Sequence, residues 1–126
     1  MSLTHPLARV RGLGSAKNGT HHWWVQRLTA VALALLTPWF IWMAVTLAGT
    51  DGFVVRATLA QPVNAVLMLA FVISLFWHAR LGLQVVIEDY IHTHWLEVTL
   101  QVVVLFACVL ATLASAIAIG RIVFTG

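Results

Sequence analysis

Polar positions along this chain collect at the ends of three long apolar runs. Leu28–Thr50, Ala57–Trp77 and Val98–Gly120 contain no Asp, Glu, Lys or Arg. Each has about the 20 residues that an α-helix needs to cross roughly 30 Å of hydrocarbon at 1.5 Å per residue. Backbone groups in lipid must be satisfied inside their own segment, and the non-alternating pattern argues against barrel strands. The pattern therefore predicts an all-α chain, 1–126, forming one membrane domain with transmembrane helices over about 24–50, 57–90 and 96–121.

The segment up to about residue 20, with Gly12, Gly14, Ser15, Asn18 and Gly19, reads as an irregular arm. His22, Trp23 and Trp24 follow as an aromatic anchor at headgroup level. Pro38 should kink the first helix unless neighbours re-satisfy the freed carbonyl. Gly49-Thr50-Asp51-Gly52 signals a turn, which makes the first two helices antiparallel neighbours. The second helix is expected to open around Thr58, with Pro62 in or near its first turn, and to run on to Tyr90. A short link through His92 and His94 leads to the third helix, where Ala107, Ala111 and Ser115, and also Ala114 and Ala118, offer faces for close helix approach.

Composition agrees with a membrane solvent: 61% of residues are hydrophobic and 9% charged, more apolar surface than one water-soluble core of this size can hide. The net charge of +3 arises from few acids rather than many bases, so it fits a lipid surface and implies no nucleic-acid partner. Arg9, Arg11, Lys17, Arg27 and Arg80 fall on one side of the predicted topology, Arg56 and Arg121 on the other. The positive-inside rule then puts the N-terminus and the Phe76–Trp95 stretch on the cytoplasmic (or mitochondrial matrix) face. The basic, acid-free start superficially resembles a transit peptide; a cleavable secretory signal is not expected, since the first apolar run starts late and contains Pro38. The single Cys108 excludes an internal disulfide and reads as a small core residue.

Phe76–Trp95, FWHARLGLQVVIEDYIHTHW, gathers His78, Arg80, Gln84, Glu88, Asp89, Tyr90, His92 and His94. At 100° per residue, Ser74, Gly82, Val85 and Asp89 share the helix face of His78. An imidazole with a bare turn four residues on suits an iron porphyrin: the ring nitrogen binds iron, and Gly82 admits the flat macrocycle. The spacing leaves equally open a histidine that hydrogen-bonds a neighbouring helix, with Gly82 as a packing notch. Were two histidines to bind one heme, the second would have to come from another polypeptide, because His5, His21, His22, His92 and His94 lie at or outside the predicted interface.

Asp89 and Tyr90 fall about 17 Å beyond His78 along a continuous helix. A phenol there can donate to a quinone carbonyl, and a carboxylate beside it can relay protons; an interfacial anchor and a solvated helix end account for the same residues. Arg80 points about 160° away from His78 and can snorkel or pair with Glu88 or a partner. Arg27 can reach a heme propionate, a quinone pocket or lipid phosphate. His92 and His94, two apart, lack helical metal-ligand spacing.

His78-x3-Gly82-x3-Val86-x2-Asp89-Tyr90, within HARLGLQVVIEDY, resembles the signature of the small hydrophobic membrane-anchor subunits of succinate dehydrogenase, respiratory complex II. GSAKNGTHHWWVQRLTA, Gly14–Ala30, resembles the arm and first helix of the same subunits in bacteria, including Arg-x-Thr-Ala at Arg27. The resemblance covers nearly the whole chain and implies a three-helix anchor within a heteromeric helix bundle. It implies assembly with a cytochrome b subunit, an iron-sulfur subunit and a flavoprotein subunit, in a bacterial inner membrane or, alternatively, a mitochondrial one. By matching position, His78 would be an axial ligand of heme b, with the other from the cytochrome b subunit; Tyr90 would hydrogen-bond the ubiquinone head group and Asp89 would support that site. Some bacterial relatives have His-Asp where this chain has His21-His22, so no role of that carboxylate carries over.

Two other readings of the residues differ in what they require. A structural or transport protein without a redox cofactor would be expected, if a transporter, to show inverted repeats or broken helices at the midplane, and neither is found. A homodimeric b-type cytochrome sharing one heme between two copies of His78 would need no separate cytochrome b subunit.

Overall fold

The computed structural model describes residues 13–125, with side chains from residue 21 onward. They form four helices: α1 (Leu13–Leu47), α2 (Gly52–Leu59), α3 (Pro62–Tyr90) and α4 (His94–Thr125), with no strand among the described residues. Three segments, His21–Leu47, Pro62–Tyr90 and His94–Thr125, are long and apolar enough to cross a bilayer. The chain is a multi-pass membrane protein.

Two boundaries differ from the sequence reading. The helix expected from about residue 24 already begins at Leu13, since extending a formed helix costs far less than nucleating one and outweighs the penalties of Gly14 and Gly19. Residues 1–12 of the expected arm lie outside the described residues. The second helix, expected to open near Thr58, is instead two helices. Ala60 and Gln61 close α2 with bonds to the Arg56 and Thr58 carbonyls, 2.8 and 3.3 Å. Pro62 disfavours the helical region for the residue before it, and Gln61 sits extended at φ −63°, ψ 133°, so a new helix starts with Pro62 in its first turn.

The Gly49–Gly52 turn forms. Thr50 N–H donates to the Leu47 carbonyl at 3.1 Å, and Gly49 takes φ +83°, the left-handed region that glycine enters at no steric cost. Helix α1 runs unbroken through Pro38.

Helix α3 is the centre of the arrangement: it packs against both α1 and α4, and α2 rests on α3 and α4. Met43, Ala65, Phe71, Leu81 and Ile87 are the buried apolar side chains among the described residues, four of them on α3 and none on α4. Between α1 and α3, Phe40 stacks on Phe71 with ring centroids 4.6 Å apart and planes within 10°. Large apolar side chains elsewhere, such as Leu35, Val45, Phe106 and Ile117, are exposed. In hydrocarbon that exposure is the solvated state, so helix association relies on packing and interhelical hydrogen bonds rather than on hiding apolar surface.

Several threonine hydroxyls in the spans are satisfied by their own helices. Thr46 donates to the Met43 carbonyl at 3.0 Å, and Thr112 to that of Cys108 at 2.8 Å. Such back-bonding removes a polar group that lipid cannot solvate. On α4 the expected small-residue faces divide: Ala111 and Ser115 are half-buried, whereas Ala107, Ala114 and Ala118 are exposed.

Candidate functional site

Thr29 and His78 meet across the α1/α3 seam, with Oγ1 and Nδ1 3.1 Å apart. The same hydroxyl lies 3.0 Å from the Val25 carbonyl and 2.9 Å from that of Gln26, one turn back on α1. A hydroxyl has one proton but two lone pairs. Where that proton is directed to one of the carbonyls, Thr29 Oγ1 is an acceptor and His78 carries its proton on Nδ1 and donates to it. That tautomer leaves a lone pair on Nε2, which has no protein hydrogen-bond partner among the described residues. Fixing one ring nitrogen by a hydrogen bond is how proteins orient the other toward a metal.

Gly82 lies one turn beyond His78, about 6 Å along the axis. A Cβ built there would meet no atom within 4 Å, so the bare turn serves no packing contact among the described residues. The space beside His78 stays open.

His22 adds a polar group that the sequence reading placed only in an aromatic anchor. It precedes Thr29 by seven residues, two helical turns, and therefore shares its face of α1. Its Nε2 is buried without a hydrogen-bond partner, a state that native structures rarely leave unexplained. The His22/Thr29 spacing was the available signal, since polar residues seven apart fall on one stripe of a helix.

The remaining expected site residues stand apart from the Thr29–His78 pair. Asp89 and Tyr90 end α3, and Tyr90 is 77% exposed. Ile91 caps the helix in extended conformation with its N–H on the Ile87 carbonyl. Glu88 accepts from Gln84 Nε2 at 3.1 Å and forms no ion pair with Arg80, whose guanidinium lies 5.4 Å over the Trp77 ring. Arg27, two residues before Thr29, places its guanidinium 5.3 Å over Trp23 of its own helix. His21, His92 and His94 are exposed, and His5 lies outside the described residues. No three His, Cys, Asp or Glu side chains converge among the described residues. A metal bound at His78 would thus depend on ligands from outside this set.

A family model described as the succinate dehydrogenase/fumarate reductase transmembrane subunit matches residues 1–114. The chain belongs to that family. It is 38% identical over 114 residues to the succinate dehydrogenase hydrophobic membrane anchor subunit of Rickettsia conorii, covering 90% of each chain. With the protein of the same name from Rickettsia felis it shares 40% identity over 104 residues, 82% of this chain and 87% of the relative. The Paracoccus denitrificans protein of that name is 35% identical over 85 residues, 68% of this chain and 66% of the relative. The three apolar spans are those of a succinate dehydrogenase membrane anchor, whose place is in a complex with other chains.

Proposed function

We propose that this anchor supplies His78 as one axial ligand of a heme b, the second coming from a partner cytochrome b subunit, and that the Asp89–Tyr90 end of α3 contributes to ubiquinone reduction. The observation that carries the proposal is the Thr29–His78 bond at 3.1 Å, which leaves Nε2 as a lone-pair donor. Three further features fit a porphyrin. Gly82 leaves open space one turn away. The set offers only one well-oriented nitrogen, as a ligand shared between two chains requires. Nε2 of His22, on the same α1 face, is buried with no hydrogen-bond partner among the described residues.

In this reading α1 and α3 do the positioning. Thr29 holds the imidazole plane and Gly82 admits the macrocycle, while Arg27, exposed and turned about 160° around α1 from Thr29, would reach an acidic group such as a propionate only by extending away from Trp23. Heme, when bound, supplies a one-electron centre. Tyr90 Oη–H donates to a quinone carbonyl, and Asp89, exposed to water, exchanges the protons that accompany two electrons in forming quinol. Those electrons derive from succinate through the flavoprotein and iron-sulfur subunits, which would dock on the Asp89–Tyr90 side. The charge asymmetry, with Arg9, Arg11, Lys17, Arg27 and Arg80 toward that side and Arg56 and Arg121 toward the other, supports a cytoplasmic N-terminus, and the Rickettsia relatives support a bacterial inner membrane.

The test is to purify the native complex through a tag on this chain and record its reduced-minus-oxidised visible spectrum beside a His78→Ala variant. A b-type signal lost or altered in the variant, with flavoprotein and iron-sulfur subunits co-purifying, is expected. An unchanged heme signal removes His78 as ligand. A heme signal from this chain with no second cytochrome polypeptide points to a homodimeric cytochrome instead.

A further inference from the structure

A second seam, between α3 and α4, holds a groove of about 260 Å³ walled by Ile73, Phe76 and Trp77 on one side and Cys108 and Leu113 on the other. Arg80 lines this groove and also a small polar cleft with Gln84, Ile87 and Gln101, so it marks where an apolar slot becomes a polar mouth. The groove runs from Arg80 toward the middle of the span, and the cleft from Arg80 toward the Asp89–Tyr90 end.

No carboxylate pairs with Arg80 among the described residues. Glu88 and Glu97, the nearest acids along the two helices, instead accept from Gln84 at 3.1 Å and from Gln101 at 3.4 Å. Arg80 is only half-buried over the Trp77 ring. An arginine three residues beyond the uncharged run that ends at Trp77 reaches the headgroup level by snorkelling, and a guanidinium forks onto phosphate oxygens in bidentate geometry. From this the geometry points to a specific site for an anionic phospholipid: phosphate on Arg80 and an acyl chain laid in the Ile73/Leu113 groove. The phosphate neutralises the one arginine of α3, and the acyl chain fills a slot that the α3 and α4 side chains leave open. The site lies about 160° around α3 from His78, so it stands or falls independently of the ligand proposed there.

The complex carrying this chain is reconstituted in nanodiscs of phosphatidylcholine with or without phosphatidylglycerol, re-extracted in mild detergent, and its bound phospholipid counted by native mass spectrometry. One phosphatidylglycerol per copy of the chain is expected to remain. Arg80→Gln should lower its retention about fivefold, the size expected for one basic residue at an anionic membrane surface. Arg80→Lys, which keeps the charge but not the fork, should fall between the native chain and Arg80→Gln, and Leu113→Trp, which fills the groove, should abolish retention. Cys108, the single cysteine, gives a second readout: alkylation of its peptide by N-ethylmaleimide should slow in phosphatidylglycerol discs for the native chain but not for Arg80→Gln. Equal retention of phosphatidylglycerol and phosphatidylcholine overturns the proposal, as does retention indifferent to both Arg80→Gln and Leu113→Trp. So does Cys108 protection that persists in delipidated complex, which would mean that a partner helix occupies the groove. The visible spectrum of each variant reports separately on the His78 side.

Discussion

Thr29 Oγ1 lies 3.1 Å from His78 Nδ1, a bond between two helices whose partners are separated by 49 residues in sequence. If it orients the imidazole, Thr29→Val should leave the chain inserted but weaken heme retention about 10- to 100-fold, the usual cost of removing a group that orients a metal ligand. Thr29→Ser, which keeps the hydroxyl, should restore it. Heme content per complex after detergent dialysis, together with the position and width of the reduced α-band, checks both. A merely structural threonine would change complex yield without moving the band.

Gly82 offers a cleaner separation of packing from ligand binding. A Cβ there meets nothing within 4 Å, and glycine inside a helix is less favourable than alanine by about 0.5–1 kcal/mol. Gly82→Ala should therefore leave the separately expressed chain as helical and as well inserted as before, while Gly82→Leu in the assembled complex should remove the b-type spectrum. Circular dichroism of the chain and visible spectroscopy of the complex give the two readings. A loss of helix in the chain alone would show that Gly82 has a packing role after all.

These two residues also show what can be read from sequence. The three spans are legible because lipid permits only long uncharged helices, and the His78/Gly82 relation because four residues make one turn. Thr29 does not stand out, although it sits inside the Arg-x-Thr-Ala match: a threonine in an apolar helix back-bonds to its own carbonyls, and only the tertiary pairing of α1 with α3 reveals its second role. The break at Ala60–Gln61 escapes for another reason. Residues 57–61 carry no charge, so hydropathy runs straight through them, and Pro62 fits an ongoing first turn as well as a new start. His22 is hidden by position, since a histidine beside two tryptophans fits a membrane interface until its ring nitrogen is found buried.

Tyr90 ends α3 with its side chain 77% exposed, so its phenol has no packing duty that phenylalanine could not perform. Tyr90→Phe should therefore spare assembly and the heme spectrum. One hydrogen bond contributes about 0.5–1.5 kcal/mol, so ubiquinone reduction should fall by up to about tenfold while succinate oxidation by an artificial acceptor stays unchanged. Steady-state rates with the two acceptors decide it. An equal loss with both would place the defect in assembly rather than at the quinone.

The Phe40–Phe71 stack joins α1 to α3 well away from Thr29, with rings 4.6 Å apart and Phe71 only 7% exposed. Lipid tails compete for apolar surface as well as leucine does, so this contact holds the helices by fit rather than by escape from water. Phe71→Leu removes the ring pairing, worth about 0.5–1.5 kcal/mol beyond area burial, and loosens the frame that keeps Thr29 opposite His78. The purified complex should then lose heme at a lower temperature in a thermal ramp, with its spectrum at low temperature unchanged. Phe40→Leu should have a similar effect, and the double variant should cost less than the two singles added together, because each already breaks the same contact. Strict additivity would mean that the two rings act separately, and the link from this stack to the Thr29–His78 pair would be lost.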